Sequence, residues 1–404
     1  MSGAGVDSGT INGLLKQVYD DEGVTNLQNM DADTRKRLTK STKKPTGAGF
    51  IFSVNVQGNQ RGKGNQNELE SLRQPDSQTP VQGTIKPKVF THTIRFSGLS
   101  LEIAQTDVDS FADNATFQMD EGMKDAGKEL NAQIFRSGSG VLATVNGAVS
   151  ASTTVPFQNG CPTHFRVGMY LDFFNGSTRE AASIQVTAVD IANSQLTMAS
   201  AVTLTSGDNI FRERTNDNSP TDGKEYAGLK LAVDDGSIAT TYENISTSTY
   251  TIWKGIIFDA GAANVSDDLL QRIEARKKIF GGRKTTKIIS NTSGLRKYLS
   301  VVTPLKRFEK GATMDSGMEE MPTWNGIEWI VDVDCEFDRI YFVTDDYFKK
   351  YEVKELGFDE NGGGIMKWDP GYDGFVAYAK EYANYGSQDR RNLACIKNLA
   401  LATF

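Results

Sequence analysis

GNQRGKGNQNELESLRQPDSQTPVQG, Gly58–Gly83, is the stretch on which the reading of this chain turns. It lies between two segments patterned as β-strands and holds almost nothing a core could use. Structureless loops longer than about 12 to 15 residues are uncommon in compact domains, and are usually functional or disordered. Fixing each backbone residue costs roughly 1–2 kcal/mol, which so few apolar side chains cannot offset within one subunit. An isolated two-stranded hairpin is also marginal in water. The loop, with its charged residues Arg61, Lys63, Glu68, Glu70 and Arg73, is therefore expected to be either functional or disordered rather than part of a core.

On one side of it, FIFSVNVQ places Phe50, Phe52, Val54 and Val56 at alternate positions, the period of a strand with one buried face. On the other, TIKPKVFTHTIRFSGLSLEI predicts a return strand or a broken pair of strands, with Val89, Phe96, Leu99, Leu101 and Ile103 as its apolar positions. Pro80 and Pro87 put its start at an edge, because proline cannot donate to a ladder. Asp107 to Arg136 then predicts a helix: Val108, Ala112, Ala115, Met119, Met123, Ala126, Leu130 and Ile134 recur at steps of three and four. It would run about 45 Å. Gly122 and Gly127 inside it suggest curvature or a close backbone approach.

Further out, TRKRLTKSTKK gathers Arg35, Lys36, Arg37, Lys40, Lys43 and Lys44 in a polar N-terminal arm with a short amphipathic turn at Leu14, Leu15 and Val18. The arm reads either as a solvated segment or as a contact with phosphate or acidic groups. After the helix come short alternating segments, FRVGMYLDFF, ASIQVTAVD, SQLTMAS and DNIFRER, spaced as a small antiparallel barrel or sandwich. Helices and strands alternate beyond: Ser266 caps a helix over VSDDLLQRIEARKKIFGG, TTKIIS is a strand, and SGLRKYLSVV a second helix. Aromatic strands follow, and RRNLACIKNLALA is an apolar stretch expected to dock.

Composition bounds the function. The 404 residues favour two or three domains or one with large insertions, and 38% hydrophobic with 24% charged residues is a soluble globular balance. No run reaches the roughly 18 apolar residues of a membrane span, and the first residues lack the pattern of a secretion signal, so a cytoplasmic product is expected. A net charge of -7 argues against a dedicated nucleic-acid binder. Cys161, Cys335 and Cys395 have no metal or disulfide spacing and read as buried small hydrophobes.

Chemistry-bearing motifs are scarce. Only His92 and His164 could serve imidazole catalysis. GGRKTT at Gly281 lacks phosphate-loop spacing and reads as a helix C-cap. Asp332, Asp334, Glu336 and Asp338 superficially match a calcium loop, but Phe337 and Val343 stand where such a loop needs Gly and Glu, so an acidic strand edge is expected. DDG at Asp234 reads as a turn. No catalytic, cofactor or metal residues are assigned, and no enzyme activity is expected.

The order of parts resembles the major capsid proteins of tailed double-stranded-DNA bacteriophages, the Hong Kong ninety-seven fold. GLKLAVDDGSIATTYENISTSTYTIWKG, WNGIEWIVDVDCEFDRIYFVTDDYF and YANYGSQDRRNLACIKNL carry the likeness most closely, within a span from Phe50 to Leu399. The resemblance implies an α+β fold whose parts are an N-terminal arm (1–45), an extended hairpin loop with flanking strands (46–103), a peripheral-domain spine helix (104–140), an inserted antiparallel β-module (141–225), an axial α/β domain (226–330), and return strands with a closing segment (331–404). It implies hexamers and pentamers of the chain in an icosahedral shell, located in the virion and built in the host cytoplasm, with each hairpin lying over an adjacent copy and its tip meeting partners there through Arg61, Lys63, Glu68, Glu70 and Arg73. It also implies a separate scaffolding protein, a portal, decoration proteins, only non-specific contact with packaged DNA, and no membrane. Lys63 raises the question of a hairpin crosslink, for which no partner asparagine can be matched. A tail-tube or adhesin protein, or an enzyme with an unrecognised site, are the competing readings.

Overall fold

The alternation in FIFSVNVQ produces a strand: β1 (Phe50–Gln57) pairs antiparallel with β2 (Thr79–Ile85), Phe50 opposite Ile85 and Gln57 opposite Thr79. The computed structural model describes residues 33–47, 49–99, 108–215, 223–302, 323–360 and 364–400. The amphipathic turn expected at Leu14, Leu15 and Val18, and the positions Leu101 and Ile103, lie outside them. The chain divides into two units: Lys88–Asn131 with Glu352–Ala383, and Asp33–Pro87 with Ala132–Tyr351 and Asn384 onward.

In the first unit, β3 (Lys88–Ser97) does not continue the hairpin. Pro87 breaks the return strand, and β3 pairs with β19 (Gly374–Ser387) over ten residues, from Gly374 opposite Ser97 to Ala383 opposite Lys88. β17 (Phe348–Phe358) and β18 (Met366–Trp368) complete a four-stranded sheet around β19. One face, with Ile94, Phe96 and Ala377, packs with Met119 of helix α2 (Val108–Phe135). Gly122 permits that approach, since a Cβ there would lie 2.5 Å from Ile94 Cδ1. The expected core positions Val89 and Leu99 are instead exposed; Val89 points to the sheet face opposite Ile94, and Ile94 takes the core role.

The second unit contains a closed six-stranded barrel in the order β4 (Val141–Val145), β5 (Val149–Gln158), β8 (Gln195–Leu204), β7 (Thr178–Asp190), β6 (Tyr170–Asn175), β9 (Asn209–Arg212). Inward positions hold Val145, Val155, Phe157, Leu171, Phe173, Val186, Leu196, Met198 and Ile210. Register shifts interrupt the β5–β8, β6–β7 and β7–β8 ladders. Such bulges bend strands and help a small sheet curl shut.

The same unit holds short helices α1 (Asp33–Arg37) and α3 (Leu229–Ala232), and a two-stranded ribbon of β10 (Thr241–Tyr242) and β11 (Ile245–Ser246). Its mixed six-stranded sheet runs β12 (Ile256–Asp259), β20 (Ala394–Lys397), β16 (Ile340–Val343), β13 (Lys287–Ser290), β15 (Ile327–Val331), β14 (Thr323–Trp324). Asn325 and Gly326, with φ of 50° and 72°, turn β14 into β15 as a tight hairpin. Helices α4 (Asp267–Ile279) and α5 (Thr292–Val302) pack with it. Ser266 caps α4 by accepting from the Leu269 N–H, and Gly281, at φ 80°, follows its end. A domain boundary at 330/331 would cut β15, and β16 and β20 belong to this sheet rather than to the four-stranded one.

The acidic run is also not an edge. Asp332, Asp334 and Glu336 are buried. Asp332 accepts from the Asp334 and Thr34 N–H groups. Glu336 accepts from Lys230 (2.5 Å), Tyr341 (2.6 Å) and Arg339 (3.2 Å). Burial pushes its carboxyl up, but Lys230 and Arg339 outweigh that and hold it down at about 2. The loop also carries the barrel's root: Thr163 donates to Val333 O, and His164 Nε2 lies 2.9 Å from Asp334 O. Arg136 donates to His164 Nδ1, so the imidazole proton sits on Nε2 and bonds that carbonyl. Both histidine nitrogens thus serve structure. The three cysteines are buried and free.

Candidate assembly interface

The hairpin is anchored at one end only. Phe50, Phe52 and Ile85 are buried, and the Phe50 ring lies 5.2 Å from Tyr351 and the Phe52 ring 6.2 Å from Trp253. Gly83 lies beneath the Phe52 ring, leaving no room for a side chain. From Gln60 to Gln78 every residue is exposed.

The tip nevertheless has a defined shape. Asn59 Oδ1 accepts from the Gly62 and Asp76 N–H groups, tying its two sides together. Glu70 accepts from Asn67 N–H, and Arg73 donates to Asn65 O. Arg61, Lys63 and Glu68 make no such bond among the described residues. The apex presents two apolar side chains to solvent, Leu69 at 101% and Leu72 at 84% exposure. Leu69 sits at φ 69°, a left-handed conformation that costs an L-residue roughly 1–2 kcal/mol. Sequence reasoning selected the charges here and passed over the leucines.

The arm is held by its own subunit more than expected. Arg37 pairs with Glu328 at 2.8 Å, Lys287 donates to Arg37 O, and Thr34 and Leu38 are buried. Thr39, Lys40 and Ser41 run alongside Lys350, with bonds Ser41 N to Lys350 O and Lys350 N to Thr39 O. Arg35 is half-buried, whereas Lys36, Lys40, Lys43 and Lys44 are exposed.

A second surface was not legible in advance. On the four-stranded sheet, the face opposite Ile94 carries Val89, Thr91, Thr93 and Arg95 from β3, with Tyr378, Lys380 and Tyr382 from β19. Lys380, Lys367 and Lys354 gather on one buried carboxylate, Asp359, at 2.7, 3.1 and 3.7 Å. Arg95 pairs with Asp369 and lies over the Tyr372 ring. Three cations on one anion leave this face basic, with tyrosine rings between the charges. Alternate spacing on separate strands, 95 with 376 and 367 with 376, brings these residues together, and no local motif marks them.

Arg390 opens the RRNLACIKNLALA stretch and was not singled out as a site residue. It is buried and donates to the carbonyls of Leu231, Ala232, Asp234 and Trp253. No group of three or more metal-ligating side chains occurs among the described residues, and none of their helices is long and apolar enough to cross a membrane.

Among solved structures, the chain is similar to a chain of the cyanophage A-1(L) capsid, at 11% identity and TM-score 0.59, covering 96% of this chain and 99% of that one. It therefore shares the α+β fold of that capsid chain. Weaker likenesses are to the capsid of the native GTA particle (10% identity, TM-score 0.48, 97% and 98% covered) and to the SrpI encapsulin complex of Synechococcus elongatus (8%, 0.47, 96% and 94%). No family model matches the sequence. No curated protein matches it.

Proposed function

We propose that the chain is a major capsid protein, whose copies assemble as hexamers and pentamers into the icosahedral shell around the double-stranded DNA of a tailed bacteriophage. The observation that carries this reading is the end-to-end agreement of its fold with the cyanophage capsid chain. The role is structural and non-enzymatic, exercised in the virion after assembly in the host cytoplasm. A separate scaffolding protein, a portal and decoration proteins are the further partners of this reading. Packaged DNA touches the wall only non-specifically, consistent with the net charge of -7.

In the assembly, each hairpin lies over an adjacent copy. Its apex is acidic and apolar, Glu68, Leu69, Glu70 and Leu72, and the lysine–tyrosine sheet face offers the complementary chemistry. Exposed ion pairs contribute only about 0–1 kcal/mol each, but a subunit in a shell engages many at once, and avidity turns them into a stable wall. The exposed lysines of the arm face the interior or acidic neighbours. Neutralising Lys36, Lys40, Lys43 and Lys44 without effect on assembly or packaging would remove both roles.

Electron microscopy and sedimentation of the purified chain test the proposal. Closed particles or capsomer rings are the expected result, filaments would favour a tail tube, and a monomer at every concentration overturns it.

A further inference from the structure

The root of the hairpin is clamped at a single buried acid. Thr84, near the end of β2, donates its N–H to the carbonyl of Glu243 at 3.0 Å. Glu243 and Asn244 turn β10 into β11 with φ of 52° and 67°, and Glu243 Oε1 accepts from the Ser387 N–H at 2.9 Å. A Cβ on Gly386 would lie 2.5 Å from both Glu243 Oε1 and Ile85 Cδ1. The end of the hairpin, the β10–β11 turn and the end of β19 therefore meet at one tightly filled joint.

The groups around this carboxyl are few. Tyr242 lies on its own turn, Tyr351 on β17, and Arg390 beyond β19. Arg390 is committed to four carbonyls and lies 4.6 Å over the Tyr242 ring. Glu243 Oε2 and the Tyr242 hydroxyl are buried without a well-formed hydrogen bond among the described residues; they face each other, and the Tyr242 hydroxyl also faces the Ser387 N–H. Burial pushes the acid up to about 8, against the opposing pull of the Ser387 N–H, Tyr242 and Arg390.

We propose that Glu243 is a proton-controlled latch on the hairpin: protonated, it stays in the joint and holds Thr84 in place; ionised, it is drawn toward water and frees the root to pivot. The inference rests on the reading of the hairpin as the assembly element and supplies its regulation. The closed joint holds its proton up to about pH 8, whereas an opened one releases it near the ordinary 4.5. Opening is thus suppressed below about pH 4.5, becomes easier by up to about tenfold per pH unit up to about 8, and levels off above.

Hydrogen exchange on the full, unassembled chain tests this, comparing wild type with Glu243→Gln at each pH so that the chemical exchange rate cancels. In the peptide covering 79–85, wild type should exchange faster than Glu243→Gln by a ratio that climbs at least tenfold from pH 6 to pH 8, while barrel peptides from 141–212 keep a constant ratio. A flat ratio at 79–85 overturns the latch, as does a climb shared by the barrel, which would report global unfolding. Should Glu243→Gln not fold, the same climb is read in wild type by referencing 79–85 to the barrel peptides. Because the readout is taken before assembly, the latch can fail in a chain that builds shells, and hold in one that does not.

Discussion

The barrel and the hairpin are both antiparallel β-structure, and they treat their edges in opposite ways. The barrel pairs its last strand with its first and fills its interior with Phe157, Phe173 and their neighbours, so its ladder closes on itself. The hairpin stops at two strands and projects a tip exposed from Gln60 to Gln78. An unpaired edge is normally a hazard that proteins blunt. In the proposed assembly the open element is the one whose incompleteness is useful, because a structure unfinished within its subunit has contacts left to make with another.

The sharpest way to break this comparison is to remove the tip. Deleting Gln60 to Ser77 should leave a folded subunit, with an unchanged thermal midpoint, and abolish stable shells in micrographs; wild-type shells from that deletion would end the assembly role of the hairpin. Arg390→Ala should act the other way, costing about 3–5 kcal/mol in denaturant unfolding because buried carbonyls lose their donor. Within the barrel, Phe173→Ala should cost about 3–5 kcal/mol by leaving a cavity in a closed interior.

Acid should separate the regions more gently. Glu336, held down at about 2 against its usual 4.5, contributes stability that is full above about pH 4.5 and is lost as pH falls toward 2. Glu336→Gln should flatten the acid limb of the stability curve in that window. The smallest effect belongs to Leu69→Gly, which relieves a left-handed backbone and should change stability by no more than about 1 kcal/mol. It should still weaken assembly measured by sedimentation, since the exposed side chain is gone.

The parts of the fold written in local periodicity were legible: the alternation of β1, the spacing of α2, the Ser266 cap, and the short barrel strands β6 to β9. The strands β4 and β5 went unnamed: β4 is only five residues long, and Ser and Thr crowd the exposed positions of β5. Where a side chain's fate depends on distant strands, the sequence was silent. Val89 looks like core and is exposed, since register with β19 decides which face it takes. Asp332 and Glu336 look like surface acids and are buried, since their partners Thr34 and Lys230 lie about 300 and 100 positions away in the chain. For the same reason the lysines around Asp359 and the Glu243 joint could not be named in advance, whereas Leu69, in the same local stretch as the tip charges, is set apart only by its exposure.

The position of β20 sets an order of events during synthesis. This strand, Ala394–Lys397, lies between β12 and β16 rather than at a margin of its sheet. β12 can therefore join β16 only after residues 394–397 have left the ribosome, long after the hairpin and the barrel have emerged. A nascent chain already displaying its hairpin still lacks a finished sheet. In the proposed assembly, translation itself thus delays the moment at which a subunit is complete enough to meet another.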